Sequence, residues 1–177
     1  MKPKRSLDAE TSSKLTPLEG RAWMPFVITT LRLLAILDDE LKAAYDLSHL
    51  DFGILMLTSL TPSGQRRMSE LATTFGVDPS VITYRVRRME SHEWMQRMGH
   101  QRDGRLVMAH ITDKGRSLLA KARPKHLQSV KRLFLDHIKP QELEVLVQVF
   151  GRILAFQNQP AQTTEDGPLE DLIPMVL

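Results

Sequence analysis

The chain of 177 residues is long enough for one ordinary domain with polar ends to spare, and its 42% hydrophobic and 25% charged residues are typical of a globular protein. It contains no cysteine, which excludes disulfides and thiolate chemistry. The net charge is only +3, but residues 65–132 carry 15 Lys and Arg against 6 Asp and Glu, so the flanks are acidic. This distribution favours a surface that binds a polyanion, although a basic stretch can also be an ordinary solvated face.

Residues 1–16 are polar and predict a tail without the apolar core of a signal peptide. Apolar periodicity then predicts a helix over residues 17–45, in which Pro25 marks either the regular start near Met24 or a kink. Its predicted buried positions are Phe26, Val27, Leu31, Leu34 and Leu41. Its longest apolar run is interrupted by Arg32 and is too short to cross a bilayer, so we expect a cytoplasmic protein with no membrane partner.

Three shorter helices are predicted next. The segment "DLSHL" caps one that ends at the turn "TPSG", and Ser69 caps "ELATTF", after which Gly76 ends the helix. Asp78 and Pro79, a cap and a first-turn proline, open the third. The last two helices, separated by the tight turn "GVD", are typical of a helix-turn-helix, whose second helix enters the major groove of DNA.

The third helix, "PSVITYRVRRMES", has two different faces. Ile82, Val86 and Met89 fall within about 60° of arc and are predicted to face the core. The opposite face has small residues first and arginines last; an ordinary solvated helix would usually intersperse glutamates at i,i+4 spacing. We therefore predict DNA contacts from this corner of the chain, at Ser69, Pro79, Ser80, Thr83, Tyr84, Arg87 and Arg88.

Two strand-like runs follow at residues 95–98 and 106–111, joined by the polar loop "GHQRDG". A hairpin in this position makes the helix-turn-helix a winged helix. In the loop, Asp103 is spaced to hold the guanidinium of Arg105 in a bidentate pair, and an arginine so oriented suits a narrow minor groove. Arg102 lacks that orientation and is expected to meet phosphate or solvent.

The remaining chain predicts a helix over residues 113–138, bent at Pro124, and a last helix over 140–158. Apolar residues of the last helix cover about 200° of arc, roughly twice what packing on one domain needs. The surplus indicates a second chain; the alternative is that the apolar end "LIPMVL" of the tail 159–177 covers it within one monomer.

The segments "MSELATTFGVDPSVITYRVRRME", "QRDGR" and "ITDKG", in this order, resemble the multiple antibiotic resistance regulator (MarR) family of bacterial transcription factors, in register over about residues 20–156. The resemblance implies a homodimer formed by both chain ends, a near-palindromic operator, and an arginine at the position of Arg105 in the minor groove. The family usually has arginine where this chain has Tyr84, and glycine where it has Glu93. Since a left-handed residue is strained with a side chain, we expect the reading helix to end differently here.

Many members of the family release DNA on binding aromatic or other amphipathic compounds. The resemblance therefore implies an effector pocket between the dimer helices and the DNA-reading lobe, with Trp23, Tyr45 and His49 as possible lining residues; plain packing is the alternative for each. No cofactor or metal site is predicted. Enzyme classes are disfavoured, because the nine glycines form no G-x-G, no G-x-S-x-G occurs, and "HEWMQ" lacks the second histidine of a zinc protease.

The predicted fold is mainly α (α+β), a winged helix-turn-helix with long dimerisation helices from both chain ends. The domain spans 17–158, with a DNA-binding lobe at about 48–112 and dimerisation helices at 17–45 and 113–158. The predicted function is a dimeric, sequence-specific DNA-binding regulator, a repressor released by a small molecule. The alternative is a ligand- or protein-binding scaffold of the same fold that does not bind DNA.

Overall fold

The computed structural model describes residues 14–100 and 103–158, with side chains except at 100 and 103–106. The predictions for most of the N-terminal tail and for the tail 159–177, including "LIPMVL", lie outside the described residues. The elements are α1 (Pro17–Tyr45), α2 (His49–Ser59), β1 (Gln65–Arg67), α3 (Met68–Phe75), α4 (Pro79–Ser91), β2 (Met95–His100), β3 (Asp103–Ile111), α5 (Asp113–Leu133), a 3-10 turn (Leu135–His137) and α6 (Pro140–Gln157).

Helix α1 begins at Pro17, earlier than the start near Met24 that Pro25 suggested as one possibility. The Thr16 side chain accepts a hydrogen bond from the Glu19 N–H, and the Glu19 carboxylate accepts one from Thr16, forming a capping box. This cap fixes the first turn, so the helix starts at Pro17 and Pro25 lies inside it. The regular start near Met24 was therefore wrong.

Most of the apolar face of α1 is not covered by the described chain. Only Leu37 and Leu41 are buried on this helix, whereas Phe26, Leu31 and Leu34, all predicted to be buried, are 44%, 65% and 43% exposed. By length and composition α1 could cross a bilayer, with a mean hydropathy of 1.3 over its most apolar 18 residues. Length and composition are weak evidence for a single helix, and Arg32 would lie near mid-bilayer, where a charge is costly.

The core lies between α2, the helix-turn-helix and the sheet. Helix α2 is buried on nearly all sides, capped by Ser48 and Asp51. Ile82, Val86 and Met89 are fully buried, which confirms the predicted inward face of α4. The other core side chains are Leu41, Leu47, Phe52, Ile54, Leu55, Leu57, Leu71, Ala72, Trp94, Met95, Ala109, Ile111, Leu119 and Ala122.

The sheet is antiparallel with strand order β1-β3-β2. Strand β1 was not predicted, and β2 and β3 run further toward the hairpin tip than the pattern indicated. Residues Met95 and Ile111 pair at the base of the hairpin, and a register irregularity occurs between Gly99 and His100. The hairpin stands beside α4, as a wing beside a reading helix.

The base of the hairpin is locked to the start of α5. Thr112 caps α5 by accepting from the Gly115 N–H, and its own hydroxyl lies 2.6 Å from the Glu93 carbonyl oxygen. A Cβ on Gly115 would lie 2.1 Å from the Trp94 carbonyl oxygen, so only glycine permits this close approach. These contacts therefore fix the base of the hairpin to the start of α5.

Helix α6 contributes no buried residue among those described. It contacts α1 through the Phe26 and Phe150 rings, whose centroids are 6.2 Å apart. Exposed apolar side chains on α6 and the facing part of α1 include Leu18, Trp23, Met24, Ile28, Val145, Val147, Ile153 and Phe156. Helices α1 and α6 thus both present apolar surface that the described residues leave uncovered.

Candidate nucleic-acid interface

The corner between α3 and α4 is set by local hydrogen bonds. Gly76 ends α3 in the left-handed region with φ 61°, and the Asp78 carboxylate then accepts from the Ser80 N–H at 2.8 Å. Hydrogen bonds from Ser80 lower the pKa of Asp78, which keeps this cap ionised. The predicted Ser69 cap on α3 was wrong, because the N-cap is Arg67 and Ser69 lies one residue inside the helix.

The outward face of this corner brings most of the predicted contact residues together. Tyr84 is 65% exposed at the middle of α4. Thr83 is half-buried, and its hydroxyl donates to the Pro79 carbonyl. The other predicted residues of this face are all exposed: Ser69, Pro79, Ser80 and Arg87.

A groove of about 440 Å³ separates this face from the hairpin. Its lining combines three predicted residues with four that the sequence reasoning missed: Ser69, Thr83 and Arg87, and Arg67, Met68, Arg97 and Val107. Alternation along a strand would not have shown Arg97 and Val107, because it places them on the face of the buried Met95 and Ala109. The groove is open and carries arginines on both walls.

Glu90, the one acid inside α4, faces an arginine of the groove. Its carboxylate accepts from the Arg97 backbone N–H at 3.0 Å and from Arg97 Nε at 2.7 Å. The backbone hydrogen bond from Arg97 is the main cause that lowers the pKa of Glu90. The pair holds β2 against α4 and offsets the negative charge nearest the groove.

The structure corrects the assignment of Arg88 to the DNA-facing surface. One guanidinium nitrogen of Arg88 donates to the Asp51 carboxylate, and the other donates to the carbonyl and carboxylate of Asp46, all at 2.9 Å. The side chain is turned inward because a buried carboxylate requires a cation or hydrogen-bond donor. Arg88 therefore lies on the far side of α4 from the groove.

The reading helix also ends in the way we had not expected. After the last residue of α4, Glu93 adopts the left-handed conformation with φ 61°, where the family usually has glycine. The Glu93 carboxylate contacts Lys114 at 2.7 Å, and its carbonyl accepts from Thr112. These contacts from the start of α5 hold the strained residue in place.

The tip of the wing carries three predicted contacts that the structure does not describe in full. Arg102 lies outside the described residues, and only the backbone strand is described at Asp103 and Arg105. Their predicted pairing remains a prediction.

The three candidate effector residues do not form one site. Trp23 is 53% exposed and its ring lies 5.9 Å from that of Phe26, whereas Tyr45 is 22 residues further along α1, about 33 Å away. Tyr45 lines a cavity of about 10 Å³, with room for about one water. His49 lies nearby, its ring 5.3 Å from that of His126.

Sequence reasoning missed His126 in this region, because its neighbours come from α2, distant in sequence. The His126 ring centroid lies 4.4 Å from that of Phe52. Burial lowers the pKa of His49, and burial together with His49 lowers the pKa of His126 to about 4. Among the described residues no cluster of three or more His, Cys, Asp or Glu could hold a metal ion.

A helix-turn-helix with an exposed, cationic second helix and an adjoining antiparallel hairpin defines a winged-helix protein of the DNA-binding type. Comparison with known proteins agrees. The MarR family model matches residues 54–107. The crystal structure of Sco3205, a MarR family transcriptional regulator from Streptomyces coelicolor, in complex with DNA, is 28% identical with a TM-score of 0.78, covering 84% of this chain and 96% of that one.

AbsC, another MarR family regulator from Streptomyces coelicolor, is 28% identical with a TM-score of 0.77, covering 83% of this chain and 99% of that one. The HTH-type transcriptional regulator YxaD of Bacillus subtilis is 29% identical over 131 residues, which are 74% of this chain and 87% of that protein. The MarR family model thus matches residues 54–107, and proteins similar to most of this chain are transcriptional regulators, which confirms the resemblance and the winged-helix fold and agrees with the expectation that the chain is not an enzyme.

Proposed function

We propose that the protein is a homodimeric repressor that binds a near-palindromic DNA operator through α4 and the wing. The observation that carries this proposal is the groove lined by Ser69, Thr83 and Arg87, which faces solvent beside the exposed Tyr84. Small residues at the start of α4 allow close approach to base edges, and Arg87 can reach a guanine. Arg105 at the wing would add a minor-groove contact.

The exposed apolar faces of α1 and α6 support the dimer. A monomer rarely leaves so many large apolar side chains exposed in neighbouring helices, and a second copy would cover both faces at once. In this arrangement residues 48–112 form the DNA-binding lobe, and 17–45 with 113–158 form the dimerisation helices. Two lobes related by a two-fold axis place their reading helices about one helical turn of DNA apart.

Release from DNA by a small amphipathic molecule is the second part of the proposal. Tyr45 and His49 lie where α1 meets the DNA-binding lobe, but the cavity there holds no more than about one water. An effector would therefore have to open this junction. The proposed location remains cytoplasmic, with no membrane partner.

The test uses the duplex that the protein itself selects from a random 30-base-pair library, compared with a shuffled duplex of the same composition. Arg87→Ala should weaken binding to the selected duplex by about 1–3 kcal/mol and to the shuffled duplex much less. Lys121→Ala, which removes an exposed cation on α5, is the matched control and should affect both duplexes alike.

Arg105→Ala should also weaken binding, and more strongly than Asp103→Ala, without changing stability or dimerisation. If about six phosphates are neutralised across the dimer, the log–log salt slope should be near −5. A flat salt response, or failure to select any duplex, would favour the scaffold that does not bind DNA.

A further inference from the structure

A charge cluster around one buried carboxylate, at the junction of α1 and α2, is not used by the proposed DNA contacts. Asp51, in the first turn of α2, is 0% exposed. Its Oδ2 accepts from the Ser48 N–H at 3.0 Å and from Arg88 Nη1 at 2.9 Å. Arg88 Nη2 donates to the carbonyl oxygen and to Oδ1 of Asp46, both at 2.9 Å. Asp46 is the left-handed C-cap of α1, with φ 55°.

One guanidinium therefore joins three helices. Arg88 belongs to the reading helix, Asp46 ends α1, and Asp51 begins α2, so the planar fork of the arginine fixes α4 relative to the corner between the other two. A second arginine of α4 supports the same carboxylate, because Arg85 Nη1 lies 3.8 Å from Asp51 Oδ2. All of these contacts lie on the side of α4 turned away from the groove.

We infer that Asp51 and Arg88 act as a positioning clamp that sets the orientation of α4 for base reading. The inference rests on the proposed function. Arg88 is a positioning residue: it acts through Tyr84 and Arg87, which it holds in register with the groove. Base-edge hydrogen bonds require accurate placement, whereas phosphate attraction does not, so a loosened α4 should lose sequence choice before it loses general affinity.

Removing one negative charge distinguishes a positioning role from simple electrostatic attraction, because the two predict opposite changes in DNA affinity. Asp51→Asn removes a negative charge from the DNA-binding lobe, and attraction to phosphate alone would then strengthen DNA binding. The clamp requires weaker binding to the selected duplex, because asparagine cannot replace the charge-assisted pair with Arg88.

The experiment measures binding of Asp51→Asn, Arg88→Lys and the parent protein to the selected and shuffled duplexes. Circular dichroism and sedimentation check that each variant is folded and in the parent's oligomeric state. Asp51→Asn should bind the selected duplex about ten-fold more weakly and the shuffled duplex within about two-fold of the parent. Arg88→Lys keeps the charge but not the fork, and should show the same selective loss. Asp39→Asn, the same charge change at an exposed position of α1, should bind both duplexes at least as well as the parent.

Equal or tighter binding of the selected duplex by folded Asp51→Asn, or an equal loss on both duplexes, overturns the clamp. If Asp51→Asn does not fold, Asp46→Asn tests the clamp instead. The Asp46 side chain is 68% exposed, and asparagine tolerates the left-handed conformation, so this variant should fold. It should lose about three-fold on the selected duplex only; unchanged binding would overturn the inference. If the parent protein selects no duplex, the proposed function is overturned. If the parent binds a selected duplex and the Asp51 variant binds it equally well, only the clamp is overturned.

Discussion

The stability of the protein should fall in mild acid because of His126. The ring is packed between Phe52 and His49, and its Nδ1 is buried without a hydrogen-bond partner among the described residues. Loss of solvation is the main cause that lowers its pKa, repulsion from His49 adds to it, and Glu40 opposes both. The pKa falls from 6.5 to about 4, so the folded protein keeps this ring neutral in a range where the unfolded chain protonates it.

The sign and size of the effect follow from linkage. The contribution of His126 to the free energy of unfolding is complete above pH 6.5 and is lost as the pH falls toward 4. Between pH 7.5 and pH 5 the unfolded and folded pKa values of His126 give a loss of about 2 kcal/mol in the free energy of unfolding. Partial solvent access to the ring reduces this loss to about 1–2 kcal/mol. Burial lowers the pKa of His49 as well, so it acts in the same direction.

Urea unfolding at pH 7.5 and pH 5, at one protein concentration, measures this loss. His126→Gln should be less sensitive to pH than the parent by about 1–2 kcal/mol, while His137→Gln, which removes an exposed histidine of the 3-10 turn, should keep the parent's sensitivity. If His126→Gln loses as much stability in acid as the parent, this account of the histidine is incorrect.

Two further changes test other parts of the structure. Glu93→Gly should raise the midpoint of thermal unfolding by about 2 °C, because glycine adopts φ 61° without strain. Lys114→Ala is the control that measures the loss of the Glu93–Lys114 ion pair alone. A lower midpoint for Glu93→Gly with an unchanged midpoint for Lys114→Ala would show that Glu93 is not strained. Removing residues 139–177 should give an aggregated or unfolded product, since it strips α6 from the apolar face of α1; a soluble, folded monomer in sedimentation would refute the proposed interface.

The faces of α4 were predictable because they depend on local sequence. The Asp78 cap, Pro79 and the spacing of Ile82, Val86 and Met89 fix both the start of the helix and its buried side. The direction of Arg88 was not predictable in this way. Its partner Asp51 is 37 residues away, and helical spacing alone placed Arg88 at the edge of the outward face.

Strand β1 and the burial of α1 were missed for related reasons. The residues "QRR" of β1 have no apolar alternation, and they become a strand only by pairing with β3, where Arg66 lies opposite Ala109. On α1, periodicity correctly marked an apolar face but could not show what covers it. Leu31 and Leu34 are exposed because no described element of the chain packs over them.

The lock between the hairpin and α5 has a consequence for how DNA preference can change. Gly115 and Thr112 contact the Glu93–Trp94 backbone at the base of the hairpin. The buried Met95–Ile111 strand pair packs the same base against the core. The described base of the hairpin is therefore held by contacts that do not involve the residues of its tip. If the protein binds an operator as proposed, exchanging or lengthening the wing should alter its preference for the sequence beside the operator and leave the preference of the reading helix unchanged.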